Sequence, residues 1–552
     1  PSPHPLTDDL IAWLRSYANE RINSRLIDER RCIPPYIVLD FGNRGLLGMQ
    51  VPQSYGGLGL SNVDTLRIME QLGAIDPTLS LFVGLSNILG IRPILNYATP
   101  TVKDELLPLL ATGRELAAFA LTEPIAGSNP QAISSSAIPD GNGGWRLQGT
   151  KIWSGSAAWA GAINVFVQNI DSSGKGSGVS GFVVRQGTKG LRQGPEALTM
   201  GMRGMIQNTI YFEDVPVTPE NLLGAPGKGM NAAQDAMMYG RLAIGASSVG
   251  GMKRCAQLML RYATVRSIST GRLLDNPTTL ARLSDLTAAI TAVETLIAKI
   301  AELLDTGHIV PVDAYVVAKI AGPEFLWQAA DHLVQLLGGR GYIETNIAPQ
   351  ILRDARILRI FEGPTETLTM FLGSRVINQS EELHQFLCDR LNTKSVSEHL
   401  KLAADKINDR CTGTHAPFSD RTSAIRWAYT LTGEVALYAI LLAALQDSAQ
   451  RNVSEQCDRA IQWATLKFEQ TLTKALTGTP AESVLLNANQ TTDLISSYTE
   501  TIGNLEQTLA GEDHELDHLL KLQTSAPLPK KSPPTPLPQP TNTPSVTSAT
   551  PS

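Results

Sequence analysis

The residues with the most chemical consequence lie between Arg359 and Glu366, where the chain reads Arg-Ile-Phe-Glu-Gly-Pro-Thr-Glu. Gly363 lets the backbone approach a bound molecule closely, and Pro364 keeps Gly363 out of a helix, so Glu362 is presented from a fixed loop. A carboxylate held there away from water has a raised pKa and becomes a stronger base. The competing reading of the same residues is an ion pair between Glu362 and Arg356 or Arg359. A second segment, Ala120-Leu-Thr-Glu-Pro-Ile-Ala-Gly-Ser-Asn129, gathers hydroxyl and backbone donors on a tight turn. A third, Gln335-Leu-Leu-Gly-Gly-Arg-Gly-Tyr342, is a glycine cluster without the strand–G-x-G-x-x-G–helix setting of a nucleotide-binding unit.

The elements that must position these segments follow from periodicity. Apolar residues recur at helical spacing from Leu6 to Leu110, broken by turns such as Ser54-Tyr55-Gly56-Gly57. Short alternating runs separated by Gly, Ser, Pro and Asn fill Glu115 to Asn221 and predict a small antiparallel β domain. Helical spacing returns from Gly229 to Val376, with long helices over Arg282–Asp305 and Pro311–Leu337. Trp427–Gln446 and Cys457–Leu476 are the strongest helices of a further region, Glu381 to Leu522. The expected fold is mainly α with a central antiparallel β barrel or sandwich, and the segregation of helices from strands argues against a doubly wound sheet. The expected domains are residues 1–114 (helical), 115–228 (β), 229–378 (helical bundle), 379–522 (helical extension) and 523–552. The last segment is rich in Pro, Ser and Thr and is expected to be disordered.

Composition narrows the function. A length of 552 residues calls for several domains, and a net charge of -6 with only short basic runs such as Lys530-Lys531 excludes a nucleic-acid surface. The five cysteines form no C-x-x-C pair, and His514 and His518 have no third ligand, so neither disulfides nor a metal is expected. The first residues lack a signal-peptide pattern and Pro1 reads as a start after Met removal, which together predict a cytoplasmic protein. The apolar run Val435–Leu445 is too short to span a bilayer. The segment Ser423–Leu445 could lie on a membrane as a peripheral contact, but its apolar residues run nearly all round, which favours burial in a bundle.

Several motifs in order resemble the acyl-CoA dehydrogenase family over residues 6–378. Ala120–Asn129 is similar to its flavin-binding L-T-E-P-x-A-G-S-D signature, with Asn129 in place of the Asp; the resemblance implies cofactor contacts by Leu121, Thr122, Gly127 and Ser128, the last also near substrate. Leu147-Gln-Gly-Thr-Lys-Ile-Trp153 resembles the L-x-G-x-K-x-W segment, implying that Trp153 packs on the flavin ring. The family's donor to flavin N5 falls at Gly155, leaving Ser154, Ser156 or a backbone N–H for that contact. Met200–Gly204, Tyr211–Val217 and Asn221–Gly229 resemble the hand-over to the last domain, with Arg203 readable as an ordinary salt-bridge residue. Tyr239-Gly-Arg241 resembles the segment beside the substrate thioester, so Tyr239 and Arg241 are expected there. One subgroup carries its base at the position of Gly240, which here is empty. Phe361–Thr365 resembles the Y-E-G-T loop, implying Glu362 as catalytic base, Gly363 beside substrate and Thr365 beside cofactor. Gln335–Tyr342 and Arg266-Ser-Ile-Ser-Thr-Gly271 resemble segments that reach the cofactor's diphosphate or adenosine across a subunit boundary, implying roles for Gln335, Gly338, Gly339 and Arg266.

The resemblance implies FAD and α,β-dehydrogenation of an acyl thioester, carried by CoA or acyl carrier protein, to a trans-2-enoyl thioester. An electron-transfer flavoprotein or another acceptor would reoxidise the flavin, and the region beyond residue 379 resembles the extension of the homodimeric very-long-chain branch. Two alternatives stand beside it: a flavin monooxygenase of the same fold, and a non-catalytic scaffold.

Overall fold

The computed structural model describes residues 5–414, 416–451 and 453–504. The tail from 523 onward, Lys530-Lys531, and His514 with His518 lie outside the described residues. A compact unit runs to Leu485, and a second begins at Leu486, whose described part holds the helices Ala488–Ser497 and Thr499–Ile502.

Two consecutive helices of the N-terminal region start at side-chain caps. Ser61 caps Asn62–Ile75 by accepting from the Asp64 N–H, and Asp76 caps Pro77–Gly84 by accepting from that of Leu79, with Pro77 at the first helical position, where no N–H is missed. The second helix then widens into a π turn over Leu85–Ile91 before continuing as Arg92–Tyr97. The Asn87 amide sits inside that turn, donating to the carbonyls of Val83 and Leu46 and accepting from Met49 N–H at 2.8 to 2.9 Å. Such a turn redirects side chains, and Leu85 and Ile88 on it reach the cleft described below.

Seven strands follow: β1 Ala117–Ala120, β2 Ser136–Pro139, β3 Trp145–Gly155, β4 Ala162–Ile170, β5 Gly176–Arg185, β6 Leu191–Glu196 and β7 Gln207–Val217. β5 pairs with one edge of β4, while β1 and β2 lie end to end along the other, both parallel to β4. β2, β3, β7 and β6 continue antiparallel. The sheet is therefore mixed, which corrects the antiparallel expectation. The long excursion from β1 to β4 through the β2–β3 hairpin supplies the crossover that parallel pairing needs.

The long helices Met230–Val265, Pro277–Asp305 and Val312–Leu337 form the bundle after the sheet, with Asn62–Ile75 packed on the first of them. Thr365–Ile377 packs against Arg421–Arg451, which also contacts Lys394–Thr412 and Glu455–Thr477, so these later helices belong to the same compact unit. The contact needs two glycines. A Cβ on Gly373 would lie 1.7 Å from the Tyr429 carbonyl oxygen, and one on Gly433 would lie 1.9 Å from that of Thr369. Among the described residues two helices, Pro77–Tyr97 with its π turn and Arg421–Arg451, are long and apolar enough to cross a membrane, but both are mostly buried inside the protein.

Candidate active site

Glu362 occupies the loop between the helices Ala348–Ile357 and Thr365–Ile377, and both it and Gly363 have left-handed backbones, with φ of 55° and 101°. Two cations hold the carbonyls of this turn. Arg241, on the 230–265 helix, donates from Nε to the Glu362 oxygen at 3.1 Å, and Lys319, on the 312–337 helix, donates from Nζ to the Gly363 oxygen. The side chain points into a cleft lined by Met69, Leu81, Leu85, Ile88, Met202 and Phe361 among other apolar and small residues. Its Oε2 is buried and has no hydrogen-bond partner among the described residues. Burial pushes the carboxyl up to about 7 against the lowering pull of Arg241 and Lys319. The competing ion pair does not form: Arg359 pairs with Glu324 at 2.7 Å, and the guanidinium groups of Arg356 and Arg359 both lie over the Trp327 ring.

Gly240 also faces this cleft, while its neighbour Tyr239 does not. Residues two apart on a helix are about 200° apart in direction, so Tyr239 and Arg241 cannot serve one site. The Tyr239 hydroxyl accepts from Gln50 at 3.0 Å, and its ring carries the Arg92 guanidinium at 4.6 Å. It lines a separate polar pocket with Tyr315 and the Arg92–Asp235 pair, and the two cavities share no residue. Tyr239 thus lines that polar pocket and not the Glu362 cleft.

The end of β3 packs on Leu85, one of the residues lining the Glu362 cleft. A bulge between Lys151 and Ser154 turns Trp153 outward, with φ of 52° and 64% of its surface exposed, and joins Ile152 N–H to the Thr122 carbonyl at 3.0 Å. The hydroxyls of Ser154 and Ser156 are buried without partners among the described residues. Gly155 packs so tightly that a Cβ there would lie 2.3 Å from Leu85 Cδ1. A side chain at 155 would therefore require the end of the Leu85 side chain to shift. The loop before β2 is tied down by a buried ion pair: Glu123 accepts from Lys151 Nζ at 2.8 Å and from Ser134 and Ser135. Burial raises the Glu123 carboxyl, but Lys151 and these donors outweigh it and hold the group at about 2.

The remaining predicted residues are spread more widely. Leu121 and Thr122 are half-buried, whereas Gly127 and Ser128 are exposed on the same turn. The Thr365 hydroxyl donates to Glu324 at 2.7 Å, so it braces the loop from behind. Arg266, Gln335, Gly338 and Gly339 are all exposed and line neither cavity. Arg203 lies 3.6 Å from Asp28, as the salt-bridge reading has it. Sequence reasoning missed Lys319, Leu85 and Met202. The signal for Lys319 was present as a lone charge in the apolar run Tyr315–Ala321. Leu85 carried none, since it reaches the cleft through the π turn. Met202 is placed by Asp354, a distant buried carboxyl that accepts from its N–H.

Three family models match the chain: the N-terminal domain of acyl-CoA dehydrogenase over residues 7–114, the middle domain over 118–215 and the C-terminal domain over 227–377. The mitochondrial very long-chain specific acyl-CoA dehydrogenase of Rattus norvegicus is 32% identical over 334 residues, 60% of this chain and 51% of that protein. The chain thus spans about half the length of the very-long-chain relatives it matches. The mitochondrial short-chain specific acyl-CoA dehydrogenase of Mus musculus is 28% identical over 351 residues, 64% of this chain and 84% of that one. The crystal structure of an acyl-CoA dehydrogenase complexed with FAD from Bacillus anthracis aligns with a TM-score of 0.72 at 21% identity, covering 90% of this chain and 92% of that one. That likeness is one of fold, and at 90% of this chain it extends beyond residue 379.

Proposed function

Because the chain belongs to the acyl-CoA dehydrogenase family, we propose that it dehydrogenates an acyl thioester between Cα and Cβ, with FAD as cofactor and Glu362 as base. The observation that carries this is the buried, unpartnered Glu362 oxygen at an otherwise apolar cleft. The residues present fit FAD. The exposed Trp153 face suits stacking on a flat ring, and the orphaned Ser154 and Ser156 hydroxyls and the Thr122 turn suit its polar edge. Leu121, Gly127 and Ser128 complete that side. Arg266, Gln335, Gly338 and Gly339 would serve the cofactor across a boundary with a second copy, consistent with their exposure and with a homodimer.

Bound FAD supplies the acceptor for the β-hydride, which no side chain can provide. The chain's own residues do the rest. The cleft receives the acyl tail, and its apolar lining favours an aliphatic one. Glu362 takes the α-proton, and a pKa near neutrality matches that task, because the group is ionised enough to accept a proton yet basic enough to pull it. Arg241 and Lys319 fix the turn from which the carboxylate reaches. The thioester carrier is CoA or an acyl carrier protein, and an electron-transfer flavoprotein or another acceptor reoxidises the cofactor.

The test is anaerobic titration of the FAD-loaded chain with thioesters of graded length on both carriers, read as loss of flavin absorbance. Glu362→Gln is expected to keep FAD and thioester binding and to lose the bleaching. A variant that bleaches at close to the wild-type rate overturns the assignment.

A further inference from the structure

Among the described residues two lysines are 0% exposed, and they differ in one respect. Lys151 has its carboxylate, Glu123, at 2.8 Å, and forms a structural pair. Lys319 has no carboxylate within 4 Å among the described residues, and its hydrogen bond goes to a backbone carbonyl, that of Gly363. A buried ammonium with no carboxylate in contact is costly, and a methionine of similar length would pack in the same helix at lower cost. What the lysine adds must lie in what it touches.

It touches the turn that carries Glu362. The Glu362 and Gly363 carbonyls are consecutive, both residues have positive φ, and each carbonyl is held by a cation from a different helix: Arg241 from 230–265 and Lys319 from 312–337. A non-glycine residue in the left-handed region persists only where its surroundings hold it. We infer that Lys319 is the positioning residue of the base: its ammonium locks the Glu362–Gly363 turn and supplies, with Arg241, the positive field felt by the Glu362 carboxyl. The inference deepens the proposed role of Glu362 and rests on it for its catalytic meaning.

The charged groups around Lys319 are few. Glu362 faces it from the loop, Arg241 from the 230–265 helix, Glu366 from the 365–377 helix and Glu324 from its own helix. Burial lowers the ammonium to about 8, with Arg241 adding to that and the three carboxylates opposing it. Around Glu362 the facing charges are Arg241 and Lys319. Removing Lys319 therefore removes one of two cations that favour the ionised base, so Glu362 should hold its proton to higher pH. Removing the donor as well frees the Gly363 carbonyl and loosens the turn.

The experiment is an infrared titration of the FAD-loaded chain in wild type, Lys319→Met and Lys319→Gln, with the Glu362 band identified by its loss in Glu362→Gln. Both lysine variants are expected to shift the Glu362 midpoint upward by about one pH unit or more. Lys319→Gln keeps a neutral donor for the Gly363 carbonyl, so amide exchange in the 359–365 loop should rise more in the Met variant than in the Gln one. If Lys319→Met fails to fold, the Gln variant alone decides the field. An unchanged Glu362 midpoint in the Gln variant overturns the inference. A shifted midpoint in a chain that never reduces flavin would instead sink the proposed base while leaving the Lys319–Glu362 coupling standing.

Discussion

Replacing Glu362 by Gln should stabilise the fold in a pH-dependent way, and the size of the effect follows from the site. Burial raises the carboxyl from its ordinary 4.5 to about 7. The sign follows from proton binding. Between those values the native state holds a proton that the unfolded chain has released, so stability falls as pH rises through this window. The penalty is nearly absent below pH 4.5 and complete above pH 7. At about 1.36 kcal/mol per pH unit the full span amounts to roughly 3 kcal/mol, of which roughly 2 to 3 kcal/mol should develop between pH 5 and pH 8. A buried glutamine amide has its own cost of about 1 to 3 kcal/mol if unpaired, but that cost does not vary with pH. The difference between wild type and variant as a function of pH is therefore the clean quantity. Urea unfolding midpoints of both proteins at a fixed FAD concentration, from pH 5 to pH 8, measure it. A difference that stays flat with pH, or that moves in favour of the wild type as pH rises, would refute the buried, unpartnered carboxylate.

Gly433→Ala should destabilise by about 1 to 3 kcal/mol or more, because the new methyl falls 1.9 Å from the Thr369 carbonyl oxygen and the two helices must separate. Since the 365–377 helix starts at the base loop, flavin reduction should slow as well; an unchanged thermal midpoint would show that the close contact is not formed. Trp153→Ala should leave stability within about 0.5 kcal/mol, given the 64% exposure of the indole, while lowering flavin affinity, read by fluorescence titration of the apoprotein. Equal flavin affinity in the two proteins would remove Trp153 from the cofactor face.

Much of this protein is determined locally and could be read from its residues. The succession of helices, strands and helices follows from periods of 3.6 and 2, which survive in any context. The Glu-Gly-Pro loop, the Trp153 segment and the empty position at Gly240 are short stretches whose chemistry travels with the sequence. Even the turning of Tyr239 toward a separate pocket was implicit in helical geometry, since positions 239 and 241 face away from each other. Only the tertiary structure decided the rest. Parallel pairing of β1 and β2 with β4 depends on which edge a strand finds after a long excursion, and no local pattern encodes that. The crowding at Gly155 comes from Leu85, seventy residues earlier and carried on a π turn. Whether a glutamate is a base or half of an ion pair depends on where the neighbouring cations go. Arg359 went to Glu324, Arg241 and Lys319 went to backbone carbonyls, and one oxygen of the Glu362 carboxylate was left buried without a partner among the described residues. Charge and burial act through space, so the helices that converge on residue 362 give it its chemistry.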